Sequence, residues 1–510
     1  MASRSNNYSI RLSELLTGYI SATVSASGLD DITITGLSLD SRNINHGDMF
    51  VATAGGTVNG VAFINEAIEN NAAAVVWDAS TEADAIEINW RKTASGQNVP
   101  VIAIPDLKQK TGMLADRFYD SPSENISVCG ITGTNGKTSV SHFIAQVMNI
   151  DAPCGLMGTL GSGIYPDLKE TGYTTPDAIA CHQWLADIRL HKAKYAVMEV
   201  SSHALIQGRV NGIHFENAVF TNLSREHLDF HGDMESYSTA KAQLFHFPGL
   251  RNAIINVDDA AGRKIADTLP ATVHCVRYGM NNKFKADVSG SDLKLSQDGL
   301  SMYVKTPWGE GLLTSSLIGR FNASNLLAVL SVSLLQGVEF DIALERLKHI
   351  ESVPGRMQRL GGNNMPLIIV DYAHTPDALE QALSSLREHT QGNLWCVFGC
   401  GGDRDKGKRS EMGTIAENSA DYIVLTNDNP RSEDPANIIE DIKKGISDSA
   451  KLTVESDRHD AIHYAIQQAR AEDVILIAGK GHENYQLIGN TKYPFNDVEE
   501  AMQQLEVRAG

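Results

Sequence analysis

The 510-residue sequence contains no apolar run approaching the roughly 20 residues needed to cross a bilayer, and its opening stretch "MASRSNNYSIRLSELL" lacks the apolar core of a secretory signal. A cytoplasmic location is therefore expected, with no membrane partner. Cysteine is scarce. The six residues (Cys129, Cys154, Cys181, Cys275, Cys396, Cys400) are scattered with no CxxC pair, which leaves out zinc-ribbon and CxxC redox chemistry and predicts buried thiols in a reducing compartment. Basic excess is also missing: 43 Lys and Arg stand against 62 Asp and Glu, a formal charge of −19. Proteins that grip a phosphate backbone usually present a basic surface, so nucleic acid is not an expected partner. Neither a solenoid-type repeat nor a low-complexity segment is present.

What remains is the composition of a globular protein, 42% hydrophobic and 21% charged. The length predicts about three or four domains at roughly 150 residues each. Residues 1–122 mix short strands and helices ("TITGLSLDSR", "DMFVAT", "FINEAIENNAAAVVWD") and close on "DSPSEN", whose composition reads as a linker. A second unit starts with a strand over 126–132 and continues through the apolar runs "YAVMEVSS", "NAVFTN" and "NAIINVDD". Alternating stretches between about 272 and 316 predict hairpins, and a helical pair follows over 321–336 and 341–350. After the punctuation "ESVPGRMQRLGG", apolar runs recur at "PLIIVDYA", "LWCVFG", "YIVLTN", "KLTVE" and "VILIAG", each separated by enough sequence for one helix. That alternation predicts a parallel, doubly wound α/β domain.

The richest stretch is "ISVCGITGTNGKTSV". A strand runs into a glycine-bearing loop, Lys137 and Thr138 follow, and a helix begins with Val140, Ile144, Val147 and Met148 on one face. Loop N–H groups and a helix N-terminus cradle phosphate, a lysine adds charge, and a threonine hydroxyl can reach Mg²⁺. The strict GxxxxGK[ST] pattern fails, because Ile131 occupies the first glycine position. The context still points to an ATPase or an ATP-dependent ligase. Glu199 ends one apolar strand, and His227, Asp229 and His231 follow another. The His227/His231 spacing alone suggests zinc only weakly, for no HExxH accompanies it; Lys241 in "YSTAKAQLF" reads by itself as a solvated helix lysine.

"VFGCGGDRDKGKR" begins like a dinucleotide-binding turn. Its third glycine position, however, is Arg404, which obstructs close helix packing and offers a fork for carboxylate or phosphate instead. An oxidoreductase is set aside. "YIVLTNDNPRSEDP" places an acid, an amide, a proline and an arginine after an apolar strand. Such a loop is either a solvated turn or, outside the carboxyl end of a parallel strand, a ligand reader.

Taken in order, "GTNGKT", "EVSSHAL", "TNLSREHLDFHGD", "YSTAKAQLF", "GRFNASNLLA", "DYAHTPDAL", "FGCGGDRDKGKR", "DNPR" and "AGKGHE" make the chain closely resemble the Mur ligases over nearly its whole length. The resemblance implies an α/β protein of three domains: an N-terminal UDP-binding domain (1–122), a central P-loop-type ATPase domain with a parallel sheet (123–353) and a C-terminal Rossmann-like domain for the incoming amino acid (354–510). It implies a monomer whose partners are small substrates. The implied reaction is ATP-dependent, Mg²⁺-assisted addition of meso-diaminopimelate to UDP-N-acetylmuramoyl-L-alanyl-D-glutamate through an acyl phosphate, with domain closure during turnover.

Matched position by position, the resemblance assigns ATP to Gly133, Thr134, Asn135, Gly136, Lys137, Thr138, Ser139, Asn322, Asn325, Arg356, Asp371 and His374. Metal falls to Thr138, Glu199, His227 and Lys241, the last as an N6-carboxylysine carbamate; Lys137, Lys241, Glu199 and His227 form the catalytic set. The UDP-dipeptide falls to Leu39, Ser41, Thr174, Thr175, Ser201, Gln207 and Arg209, with "AGGTVNG" departing from the pattern expected of the uridine loop near Gly56 to Val58. "DNPR" resembles the signature of diaminopimelate-adding members, assigning Arg404, Asp428, Asn429, Pro430, Arg431, Gly479 and Glu483 to the amino acid. Diaminopimelate differs from lysine by one distal carboxylate, which an arginine fork can hold in bidentate fashion. Folylpolyglutamate synthase, of the same superfamily, explains neither "DNPR" nor an N-terminal domain of this length. A nucleotide-hydrolysing scaffold would release phosphate regardless of both co-substrates.

Overall fold

Apolar runs bounded by turn residues become strands buried on both faces. In the computed structural model, which describes residues 8–20, 28–54, 59–79, 88–362 and 364–509, backbone contacts divide the chain into two units, Met1–Arg277 and Tyr278–Gly510. The division falls inside the segment 123–353.

Two larger sheets build the first unit, beside the short antiparallel pair Ile10–Arg11 and Thr33–Ile34. A five-stranded sheet orders Gly36–Ser38, Asp48–Ala52, Ala74–Ala79, Asn98–Pro105 and Ile88–Lys92; its pairings are parallel except for the antiparallel edge strand Ile88–Lys92. At the centre of the second sheet lies Ser127–Thr132, flanked in parallel by Tyr195–Glu199 and Asn217–Phe220. Cys154–Gly158 and Asn252–Asn256 extend it on either side, again in parallel. All its core strands therefore end on the same side, where parallel sheets bind ligands. "DSPSEN" is not a solvated linker: Pro122–Asn125 is a 3₁₀ turn with Ser123 buried and its Oγ accepting from the His214 N–H at 3.0 Å.

In the second unit Val288–Ser296, Gly299–Thr306 and Gly309–Ser315 form the antiparallel meander that alternation predicts. Arg320–Leu335 and Phe340–Lys348 are the helical pair. The C-terminal sheet orders Gln358–Gly361, Leu367–Asp371, Val474–Ala478, Leu394–Phe398, Tyr422–Leu425 and Leu452–Val454. Five of these are the predicted parallel strands. The sixth, Gln358–Gly361, is an antiparallel edge strand that polar composition hid. Loops bearing Asp371 to His374, Gly399 to Arg404, Asp428 to Arg431 and Gly479 to Glu483 all leave carboxyl ends of this one sheet. Among the described residues, no helix is long and apolar enough to cross a membrane.

Candidate active site

The phosphate loop is braced from behind. Thr134 N–H donates to Asn222 O at 2.8 Å, Asn135 N–H donates to Asn222 Oδ1 at 2.9 Å, and Thr221 Oγ donates to Asn135 O at 2.6 Å. Gly133 sits at φ +151°, and a Cβ there would lie 1.9 Å from Thr221 Oγ1. The missing first glycine has a simple cause: Ile131 is still strand, fully buried and paired with Glu199 and Val219. The tight turn comes two residues later. Gly136 at φ +84° caps the helix Lys137–Met148, whose first turn carries Thr138 and Ser139. Lys137 folds over the loop, its ammonium donating to Gly133 O at 2.9 Å and Thr134 O at 2.7 Å.

Behind the loop lies a buried carboxylate. Glu199 is fully buried and accepts from Thr138 Oγ1 at 3.0 Å and from the Thr159 N–H at 2.9 Å. A Cβ on Gly158 would come 2.1 Å from Glu199 Oε1. Gly158→Ala is therefore expected to displace this carboxylate, lowering turnover at least tenfold and the melting temperature by several degrees, on the scale of an overpacked core. Steady-state phosphate release and a thermal melt on the variant check both effects.

Lys241 is not the solvated lysine its helix suggests. It is buried, donates to Gly133 O at 2.7 Å, and lies 4.4 Å from the Tyr237 ring centroid. Burial, and secondarily the nearby Lys137 charge, pull its pKa down to about 6. His227 begins a short helix in left-handed backbone, φ +54°, and its exposed ring packs against His203 and Tyr237. His231 bonds Ser202 Oγ at 2.9 Å. Among the described residues, no group of three or more His, Cys, Asp and Glu is gathered to hold a metal, so the zinc suggestion has no support in the geometry. Thr138 and Glu199 are brought together.

A cavity of about 340 Å³ lies in the same unit, lined in part by Leu39, Lys108, Thr111, Tyr173, Gln207 and Arg209. Arg209 is held rigidly, donating from Nε and Nη2 to Gln207 Oε1 and from Nη1 to Thr175 O at 2.7 Å. Thr175 Oγ1 donates to the main-chain carbonyl of Glu199 at 2.8 Å, which ties the Arg209 anchor to the strand end that carries the buried carboxylate. Thr174 and Thr159 share a hydroxyl contact at 3.1 Å. Ser201 caps the helix Ser202–Ile206, and Ser41 donates to Glu66 at 2.5 Å. Lys108 and Tyr173 carry no motif in the sequence and were missed. The expected uridine-loop positions near Gly56 to Val58 lie outside the described residues.

In the second unit, Asn325 Nδ2 donates to Asn322 Oδ1, and Asn322 Nδ2 donates to Ile318 O. Asp371 accepts the Met357 N–H at 2.7 Å; burial raises its pKa despite that bond and the Arg356 charge. Arg356 lies over Tyr372, 4.9 Å from the ring centroid, and His374 Nδ1 meets Tyr372 O.

The "DNPR" loop is no solvated turn. Asp428, Asn429 and Pro430 are buried, and Arg431 has φ +53°. That backbone is held from both sides, the Arg431 N–H donating to Leu487 O and the Gly489 N–H donating to Arg431 O. Arg431 Nη1 reaches Gly402 O at 2.8 Å. A Cβ on Gly401 would lie 2.8 Å from Arg431 Nη1 and 3.8 Å from Arg404 Cγ, so both arginines flank that glycine. Gly479 at φ +112° passes close enough to Asp428 that a Cβ would come 2.6 Å from Oδ2. Asn429 Nδ2 donates to Glu483 Oε2 at 2.8 Å. Sequence reasoning missed the supports: buried Arg458 donates to Asp497 twice at 2.7 Å and to Ala478 O, and buried Arg409 bridges Glu433 and Asp441. Both arginines sit in polar stretches, "DKGKRSE" and "ESDRHD", which read as solvated surface.

Three family models match along the chain: the Mur ligase family catalytic domain over residues 33–119, the Mur ligase middle domain over 131–333 and the Mur ligase glutamate ligase domain over 355–481. A UDP-N-acetylmuramoyl-L-alanyl-D-glutamate--2,6-diaminopimelate ligase of Coxiella burnetii is 49% identical over 93% of this chain and 96% of its own. The chain belongs to the Mur ligase family. A relative of the same name from Chromobacterium violaceum is 47% identical, covering 93% of this chain and 94% of its own. The solved structure of a ligase so named superposes with a TM-score of 0.76 at 36% identity, over 98% of this chain and 100% of the other. The α/β architecture expected from the sequence is that of the Mur ligases.

Proposed function

We propose that this Mur ligase joins meso-diaminopimelate to UDP-N-acetylmuramoyl-L-alanyl-D-glutamate with ATP, a cytoplasmic step in peptidoglycan precursor synthesis. The observation that carries the choice of amino acid is the buried Asp428–Arg431 loop at a strand's carboxyl end, with Asn429 bonded to Glu483. An oxygen of the D-glutamate side-chain carboxylate attacks the γ-phosphorus of ATP, and the bond to ADP breaks. The diaminopimelate amine then attacks the acyl carbon, loses its proton, and phosphate leaves. Catalysis of such a transfer is mostly positioning and charge neutralisation.

Gly133 to Ser139 would hold the ATP phosphates, with Lys137 supplying a cation inside the loop. Asn322, Asn325, Arg356, Asp371 and His374 would serve the nucleotide. Leu39, Ser41, Thr174, Thr175, Ser201, Gln207 and Arg209 would hold the UDP-dipeptide; Lys108 adds a second cation to that cavity. Arg404 and Arg431 would take the distal carboxylate, and Asp428, Asn429 and Glu483 the ammonium groups, with Pro430 and Gly479 shaping the walls. The oxygen donors Thr138 and Glu199 suit Mg²⁺, which takes few protein ligands and keeps water; Lys241 as a carbamate, with His227, would complete the metal ligands. When bound, Mg²⁺ neutralises charge on the transferring phosphoryl oxygens. Three domains, 1–122, 123–353 and 354–510, in a monomer that uses neither nucleic acid nor membrane, complete the reading.

The test is phosphate release with the UDP-dipeptide, ATP and Mg²⁺, comparing meso-diaminopimelate with L-lysine. Turnover is expected with diaminopimelate only, and none when either co-substrate is omitted. Equal turnover with lysine would remove the amino-acid assignment, and phosphate release independent of both co-substrates would remove the ligase.

A further inference from the structure

Lys480 belongs to none of the groups above, yet its side chain is wholly buried. A desolvated ammonium is costly unless fixed partners surround it. Here they do. Gly479 and Gly481, at φ +112° and +53°, turn the chain so that Lys480 points inward. Its Nζ donates to Glu483 Oε2 at 3.0 Å and to Asn429 Oδ1 at 3.2 Å, and it faces the Tyr485 ring.

This arrangement settles two orientations at once. Asn429 Oδ1 takes Lys480 and the Leu487 N–H at 2.9 Å, so its amide nitrogen must face Glu483, which it reaches at 2.8 Å. Glu483 Oε2 thus receives two fixed donors, whereas Oε1 meets no hydrogen-bond donor among the described residues. A carboxylate pinned by one oxygen presents the other at a set angle.

Building on the diaminopimelate reading, we propose that Lys480 is a positioning residue for amino-acid selection: it anchors Oε2 of Glu483 so that Oε1 is presented to an ammonium group of the incoming diamino acid. Lys480 does not touch the substrate; it acts through Glu483 and Asn429.

Lys480→Met is expected to raise KM for meso-diaminopimelate about tenfold or more, the effect of losing a charge-assisted bond. The kcat should stay within about threefold and KM for ATP and UDP-dipeptide unchanged, the signature of lost ground-state binding. Lys480→Gln, which keeps a donor, should fall between Lys480→Met and the parent. In a Glu483→Gln background the Lys480→Met effect should largely vanish, because both changes remove one interaction. A thermal melt reports whether each variant is folded. A folded Lys480→Met with unchanged KM for diaminopimelate, effects that multiply with Glu483→Gln, or failure of both Lys480 variants to fold would each overturn the proposal. Absence of diaminopimelate turnover in the parent enzyme would instead remove the function on which it rests.

Discussion

Arg431→Ala should lower kcat/KM for meso-diaminopimelate by about 10³-fold and erase most of the preference over L-lysine. The backbone at this position is left-handed, φ +53°, but Leu487 and Gly489 hold it through main-chain bonds, which alanine keeps. The substitution therefore removes the guanidinium and its bond to Gly402 O without dismantling the loop. A site that desolvates an arginine for a carboxylate rejects lysine because the cation is left unmatched; once the arginine is gone, that penalty goes too. Phosphate release measured with both amines reads this directly. An unchanged ratio between them would place the carboxylate contact elsewhere, with Arg404 the next residue to test.

The strands of both units were legible because apolar runs bounded by Gly, Asn, Asp and Pro admit few alternatives. Gln358–Gly361 was not, since an edge strand made of Gln, Arg, Leu and Gly has no apolar signature. The phosphate loop was legible despite Ile131, whose burial in the central strand accounts for the departure from the usual spacing. Lys241 shows the opposite case. Helical periodicity treats a lysine as solvated, and only the packing of Tyr237 and the phosphate loop around it reveals a buried amine; the sequence offered it a role through resemblance alone. Lys480, Arg409 and Arg458 were invisible for a related reason: a buried cation is defined by partners distant in sequence, such as Asp497 for Arg458.

Lys241→Ala should reduce ligase turnover on the order of 10²-fold or more, the scale of losing a group that orients a metal site, and a short exogenous carboxylate such as acetate should restore part of it. The reason lies in the buried amine. Its pKa of about 6 leaves it mostly neutral at pH 7, and a neutral amine can attack carbon dioxide, forming an N–C bond and losing a proton to give a carbamate anion. Between pH 6 and the ordinary lysine value the unfolded chain binds a proton that the folded chain does not. The unmodified amine therefore weakens the fold at neutral pH, and this cost shrinks as pH rises. Carbamylation reverses the local electrostatics, because Lys137, which disfavours an ammonium at this position, attracts an anion there. Depleting carbon dioxide should lower wild-type activity, bicarbonate should return it, and the alanine variant should ignore both. If acetate leaves Lys241→Ala inactive and wild type is indifferent to carbon dioxide, Lys241 acts as an amine bonded to Gly133 rather than as a carbamate.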